Sequence, residues 1–201
     1  DATRMLFSSP SASDVAMQSP LVHPPGSVFA YSSGTTNLLA RLVYERVGAS
    51  AQTQMDFIAA ELGTPLALEG TILEPDASGV VVGSSFVYAP ARDWARFGLL
   101  LLDGGEINGQ RLLSQDWVLR ATEPNHSDND PRYGYQLWLN GGGGELRWPS
   151  LPAESYAMQG NRSQFVMMLP SLRALVVRLG WSASDYPVDA NVSRIAAALE
   201  F

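Results

Sequence analysis

The sequence predicts an α+β fold. Apolar stripes at helical spacing, closed by glycine, dominate the first 130 residues. Short β-branched and aromatic runs punctuated by Gly and Pro follow, and an amphipathic segment closes the chain. Helices, then strands, then a closing helix is an α+β order. The chain has 201 residues, and with roughly 150 residues per domain a single domain is expected. Residues 1–130 form its mainly helical region, and 131–201 its sheet strands and C-terminal helix.

The opening, Ser8–Pro25, is rich in Ser and Pro and reads as a loop-rich entry rather than an independent domain. Thr36–Val47 carries Leu38, Leu39, Leu42, Val43 and Val47 on one helical stripe, with Gly48 at the position of a C-terminal cap. Met55–Leu62 repeats the pattern and ends at Gly63. After a β-like stretch at Gly79–Val82, Pro90 opens a third helix through Asp103, with Trp94, Phe97 and Leu101 inward and Gly104-Gly105 as its stop. Ser114 caps a short helix through Thr122, and Asp116 in its first turn suits the positive end of the helix dipole.

The apolar period then changes. Tyr133–Leu139, Ser155–Met158, Gln164–Leu169 and Ala174–Leu179 read as a small antiparallel meander, with Pro170–Arg173 a tight turn between the last two strands. Asp189 is expected to cap a final helix that buries Val192, Ile195, Ala196 and Leu199.

Composition removes several function classes. The net charge is −7, against a nucleic-acid or anionic-membrane surface, because phosphate binding is carried by basic patches. No apolar run approaches the ~18 residues of a membrane helix. With no Cys, disulfides, thiolate metal sites and cysteine nucleophiles are excluded. Compartment is left open, with a periplasmic or secreted one favoured over the cytoplasm. All 13 basic residues are Arg, so every lysine chemistry within these residues is excluded too.

Most candidate motifs have an ordinary reading. His23 and His126 are neither paired at i, i+4 nor near a carboxylate cluster, so no metal site is expected. Asp128 and Asp130 near His126 lack the ordered oxygen ligands of a calcium loop, and Asn125–Asp130 reads as a solvated loop. Gly141–Gly144 has no following Lys and reads as a loop tip rather than a phosphate cradle. No Gly-x-Ser-x-Gly elbow occurs. What remains is Pro24–Ala40, an aromatic and hydroxyl cluster leading into a helix. By its chemistry alone a Tyr ahead of a helix is more often an amphipathic rim residue than a base, and the second role needs a nearby cation to lower a phenol pKa near 10.

Pro25-Gly26, Phe29, Tyr31-Ser32-Ser33 and Leu38-Leu39 together resemble the second motif of the serine hydrolases related to class C β-lactamases and penicillin-binding proteins. The resemblance continues through Ala91-Arg92-Asp93-Trp94-Ala95-Arg96-Phe97-Gly98, Gly104-Gly105, Gly109-Gln110-Arg111-Leu112-Leu113-Ser114, Trp117-Val118 and Tyr133-Gly134-Tyr135, in the family's order. Gly160–Gln164 and the hairpin to Gly180 resemble its third motif, the Lys-Thr-Gly or His-x-Gly element. Nearly the whole chain is covered, and the wording of Tyr31–Asn37 leans toward the 6-aminohexanoate-dimer hydrolase branch.

The resemblance implies a β-lactamase/transpeptidase-like antiparallel sheet with a helical region, and an acyl-enzyme mechanism on a small-molecule amide or ester, with neither cofactor nor metal. In that mechanism Tyr31 takes the general acid/base position, Ser33 stands where the β-lactamases have Asn, and the Gln164 N–H is the oxyanion donor. Asn161, Arg162 and Ser163 are the substrate-binding residues. Asn161 puts a neutral amide where Lys or His stands, Arg162 brings charge next to it, and Ser163 narrows the space the family's Gly leaves open. These departures favour amide or ester hydrolysis over β-lactamase activity, and Tyr31 and Asn161 are expected to line one cleft.

The family's nucleophile motif, Ser-x-x-Lys, lies ahead of the Tyr motif, and a chain without Lys does not hold it. The expectation is therefore a C-terminal portion of a longer enzyme, an incomplete fold without its N-terminal strands and nucleophile helix. Such a chain is catalytically silent by itself, is partnered by the missing segment, and has an uncovered sheet edge that favours aggregation. The rival reading is a non-catalytic peptide- or cell-wall-binding module on the same fold. A generic α+β domain with structural Tyr31 and Asn161 is the third.

Overall fold

The computed structural model describes residues 2–199. They form two compact units, residues 2–25 with 30–90, and residues 26–29 with 91–199.

The first unit is helical. It contains α1 (Ala2–Phe7), α2 (Ala12–Met17), α3 (Ser33–Arg46) and α4 (Ala51–Ile58), the last running into a π-helical turn, Ala59–Gly63. Serine starts three of these helices: Ser11, Ser32 and Ser50 are extended N-caps whose hydroxyls accept from Asp14, Gly34 and Thr53 N–H, and Ser50 with Thr53 closes a capping box. Two-residue strands β1 (Ile72–Leu73) and β2 (Val87–Tyr88) pair antiparallel.

Buried amides hold this unit. Asn37 donates to the Ser33 carbonyl at 2.9 Å and to Ser84 Oγ at 3.0 Å, and Gln54 bridges the Ala40 carbonyl and Val81 N–H, each at 2.9 Å. Gly83 passes so near α3 that a Cβ there would lie 2.8 Å from the Thr36 carbonyl oxygen.

The loop-rich Ser8–Pro25 entry also contains α2 behind its Ser11 cap. Two expectations are corrected here. Gly79–Val82 makes only an isolated bridge, Pro75 to Val81, and its valines are core residues. On α3 the buried face is Gly34 and Asn37, whereas Leu39 and Leu42 are exposed.

The second unit is built on a four-stranded antiparallel sheet. After α5 (Ala91–Leu102), a β3–β4 hairpin (Glu106–Ile107, Gln110–Arg111) and α6 (Gln115–Ala121), its strands are β5 (Trp138–Leu139), β6 (Tyr156–Gly160), β7 (Gln164–Leu169) and β8 (Ala174–Arg178), in that spatial order, followed by α7 (Val188–Ala197). The register sets Met158 opposite Val166 and Met167 opposite Val176.

Strand β7 is apolar on both faces because both are covered. Phe165, Met167 and Leu169 join Trp148, Leu151, Val192 and Ala196, while Val166 and Met168 join Leu101, Ala121, Leu137 and Leu139, the period-two alternation of a central strand. Gly98 lets α5 close on the sheet, since a Cβ there would lie 2.9 Å from Val166 Cγ1.

The meander and the α+β class are as the sequence predicts, with two differences. Of Tyr133–Leu139 only the last two residues are strand. Asp189 is not a helix cap: Pro187 precedes α7, and the Asp189 carboxylate instead accepts from Ser150 N–H and hydroxyl at 2.9 and 2.8 Å, while Ile195 is exposed. Among the described residues no helix is long and apolar enough to cross a membrane.

Candidate functional site

The predicted residues lie in two local structures, one in each unit. Tyr31 directly precedes Ser32, the extended residue that caps α3, and Ser33 is the first residue of that helix. This placement follows from Ser32, whose hydroxyl satisfies the Gly34 N–H at 3.1 Å and turns the chain from extended to helical. The Tyr31 side chain is 62% exposed.

Phe29, two residues ahead of Tyr31 in the chain, has its own partner. Phe29, which belongs to the second unit, gives its N–H to Asn129 Oδ1 at 2.9 Å and receives Asn129 Nδ2 on its carbonyl at 2.8 Å. Its ring lies 4.8 Å from that of Tyr133. Asn129 sits in the stretch read as a solvated loop, and no sequence signal marked it.

The second local structure is the turn between β6 and β7. Asn161–Ser163 form one short 3₁₀ turn in which Arg162 (φ 60°, ψ 37°) and Ser163 (φ 62°) are both left-handed. A non-glycine residue is strained in that region by about 1–2 kcal/mol, so two in succession persist only where the surroundings hold them. Asn161 and Arg162 are exposed, and the Arg162 guanidinium stacks over the Trp181 ring, 5.4 Å from its centroid. The Gln164 N–H donates to the Asn161 carbonyl, and Gln164 Nε2 reaches the same oxygen at 3.1 Å. This turn therefore offers a neutral amide, a stacked cation and an N–H that is engaged within the turn.

Arg178 and Ser182, both absent from the sequence prediction, brace this turn. Arg178 Nη1 reaches the Ser163 carbonyl at 2.7 Å, and the Ser182 N–H reaches the Arg162 carbonyl at 3.2 Å. An arginine ending a β-branched strand is a weak cue, because the same pattern marks any solvated strand end.

A separate cleft of about 420 Å³ in the second unit is lined by Asp103, Arg111, Gln115, Thr122 and Tyr156, among others, none of them a predicted site residue. Burial, with the nearby Asp103 charge adding to it, raises the Tyr156 phenol to about 12. It stays protonated at neutral pH.

The sequence matches the Beta-lactamase family model over residues 3–199. The chain belongs to the beta-lactamase family. Solved structures agree on the fold. A protein assigned as a 6-aminohexanoate-dimer hydrolase from Bacillus anthracis superposes with a TM-score of 0.74 at 23% identity, covering 92% of this chain and 47% of that one. A beta-lactamase from Mycobacterium bovis gives 0.67 at 17% identity, covering 88% and 66%, and a protein assigned as a beta-lactamase from Bacteroides dorei DSM 17855 gives 0.63 at 13%, covering 91% and 63%. This beta-lactamase-family chain thus spans about half to two thirds of the length of these structures. The α+β fold with its antiparallel sheet is that of the family, and the family is one of serine hydrolases.

Proposed function

We propose that this chain is the part of a beta-lactamase-family serine hydrolase that supplies the general acid/base and the oxyanion turn for cleaving a small amide or ester through an acyl-enzyme. The observation that carries the reading is Tyr31 immediately ahead of the Ser32-capped helix, in the family's motif order, within a chain that has no Lys. The nucleophile and its Lys then belong to a Ser-x-x-Lys segment outside these residues, and the chain by itself is catalytically silent.

In acylation the nucleophile's oxygen attacks the substrate carbonyl while its proton passes to the Lys and Tyr31 pair. The tetrahedral oxyanion is met by the Gln164 N–H, which exchanges its Asn161 partner for the substrate oxygen. Collapse expels the amine or alcohol, which takes the proton back from Tyr31, and water then repeats the sequence to release the acid. Ser33 assists at the Lys, and Asn161, Arg162 and Ser163 orient the substrate.

The absence of Lys also supports a second reading, a binding module that kept the fold without the chemistry. The two separate on one experiment, labelling of the protein isolated from its source with a fluorescent serine-reactive phosphonate. Covalent label on a serine of a Ser-x-x-Lys segment is expected. Absence of label, with a bound peptide or cell-wall fragment recovered instead, contradicts the hydrolase.

A further inference from the structure

All three carbonyls of the Asn161–Ser163 turn are occupied, and two of the donors come from the end of β8 and the stretch after it. The Asn161 oxygen accepts from Gln164, the Arg162 oxygen from Ser182 N–H at 3.2 Å, and the Ser163 oxygen from Arg178 Nη1 at 2.7 Å. Arg178 is the hub of this arrangement. Its Nη1 also donates to the Gly180 carbonyl at 2.9 Å and its Nη2 to Ser182 Oγ at 2.8 Å, while its guanidinium carbon stacks 3.8 Å from the centre of the Tyr186 ring.

This guanidinium is devoted to backbone. Among the described residues no carboxylate lies within ion-pair distance of Arg178, so its planar fork is matched to two carbonyls and one hydroxyl rather than to a charge. Gly180 is shaped to the same end, because a Cβ there would sit 2.4 Å from Arg178 Nη2. Ser163, which it braces directly, and Arg162, whose carbonyl takes the Ser182 N–H, are the two consecutive left-handed residues ahead of β7. Strain of that kind needs an outside hold, and Arg178 supplies it from the neighbouring strand.

We infer that Arg178 is a positioning residue for acyl transfer: it holds the strained Asn161–Ser163 turn through the Ser163 carbonyl and so sets the direction of the Gln164 N–H. The inference rests on the hydrolase reading for its catalytic part, and on the geometry alone for the clamp. Lysine at 178 keeps one donor for Ser163 but loses the fork and the Tyr186 stack. Alanine at 180 pushes the guanidinium aside, because the three heavy atoms nearest its Cβ all belong to Arg178.

The test uses the full protein with its Ser-x-x-Lys segment, as wild type and as Arg178→Lys, Arg178→Met and Gly180→Ala. Phosphonate acylation is followed over a concentration series, and hydrogen exchange is read at the Gln164 amide. The saturating acylation rate is expected to fall by about tenfold or more in Arg178→Met and Gly180→Ala, below the full loss of an oxyanion donor, and less in Arg178→Lys. The half-saturating concentration and melting temperature stay near wild type, and Gln164 exchange accelerates in step with the rate loss. Unchanged exchange in a folded Arg178→Met protein overturns the clamp. Accelerated exchange with an unchanged saturating rate overturns the catalytic role. A wild type that takes no label, with exchange still responding, overturns the hydrolase reading and the catalytic role together and leaves the clamp standing.

Discussion

Asn129 completes both backbone hydrogen bonds of Phe29 from 100 residues away, accepting its N–H at 2.9 Å and donating to its carbonyl at 2.8 Å. A side-chain amide sets an N–H donor beside a carbonyl acceptor, so Asn129 pairs with both backbone groups of Phe29 as a neighbouring strand would. Phe29 stands two residues before Tyr31, so this pairing holds the backbone just ahead of the proposed general acid/base in the chain.

Replacing Asn129 by Ala is therefore expected to separate stability from activity. The freed Phe29 groups are accessible to water, so denaturant unfolding loses only about 1 kcal/mol. Acylation by the full enzyme falls further, by up to about tenfold, because small misplacements of a reacting group are costly. Equal activity in Asn129→Ala would remove the pairing from the site.

Asn140 carries a larger structural share. It is fully buried, donates to the carbonyls of Trp148, Leu151 and Pro152 at 3.1, 3.1 and 2.9 Å, and accepts the Trp148 N–H at 2.6 Å. Asn140→Ala orphans buried backbone groups, and a loss of about 3 kcal/mol is expected in urea or guanidinium unfolding, at the upper end for single substitutions. Asn140→Asp faces a carboxylate toward three carbonyls and is expected to be at least as damaging.

Tyr156 sets an alkaline limit. Its phenol is raised to about 12 by burial and by Asp103, against about 10 in the unfolded chain. The stability linked to this shift is complete below pH 10 and lost as pH rises from there toward 12. Tyr156→Phe is expected to flatten the stability profile across that window, measured by urea midpoints at successive pH values.

Two carboxylates set an acid limit. For Asp130, burial pushes the carboxyl up, but the Arg132 N–H and guanidinium and the Arg147 charge outweigh it and hold the group below its ordinary value. Glu154 is held low chiefly by the Ser171 hydroxyl, with backbone N–H bonds adding and burial opposing. Depressed carboxyls stabilise the fold above their unfolded pKa values, and that contribution is lost as pH falls through the folded ones. Thermal midpoints are expected to drop below about pH 4, less steeply in Asp130→Asn and Glu154→Gln.

The sheet was legible in the sequence because its strands obey a local rule. Phe165–Leu169 is apolar throughout, the mark of a strand covered on both sides, while Ser114 marks a helix start through its hydroxyl and Gly104 a helix end through its left-handed backbone. The α3 face was not legible, since Leu39 and Leu42 fit a helical stripe but the helix buries Gly34 and Asn37, where close approach and a hydrogen bond to Ser84 decide the packing. Tyr31 and the 161–164 turn are singled out by motif order in the sequence. Asn129 and Arg178 were not, because each acts on a backbone group far away in sequence, a relation that no local pattern encodes.

The measurement that bears most directly on the central claim is phosphonate labelling of the source protein containing this chain, read by intact mass and by mapping of the labelled peptide, with Tyr31→Phe as comparison. The account predicts one label on the serine of a Ser-x-x-Lys segment outside these 201 residues, formed at least about tenfold more slowly in Tyr31→Phe. A source protein that takes no label, or one whose labelling is indifferent to Tyr31, would contradict it.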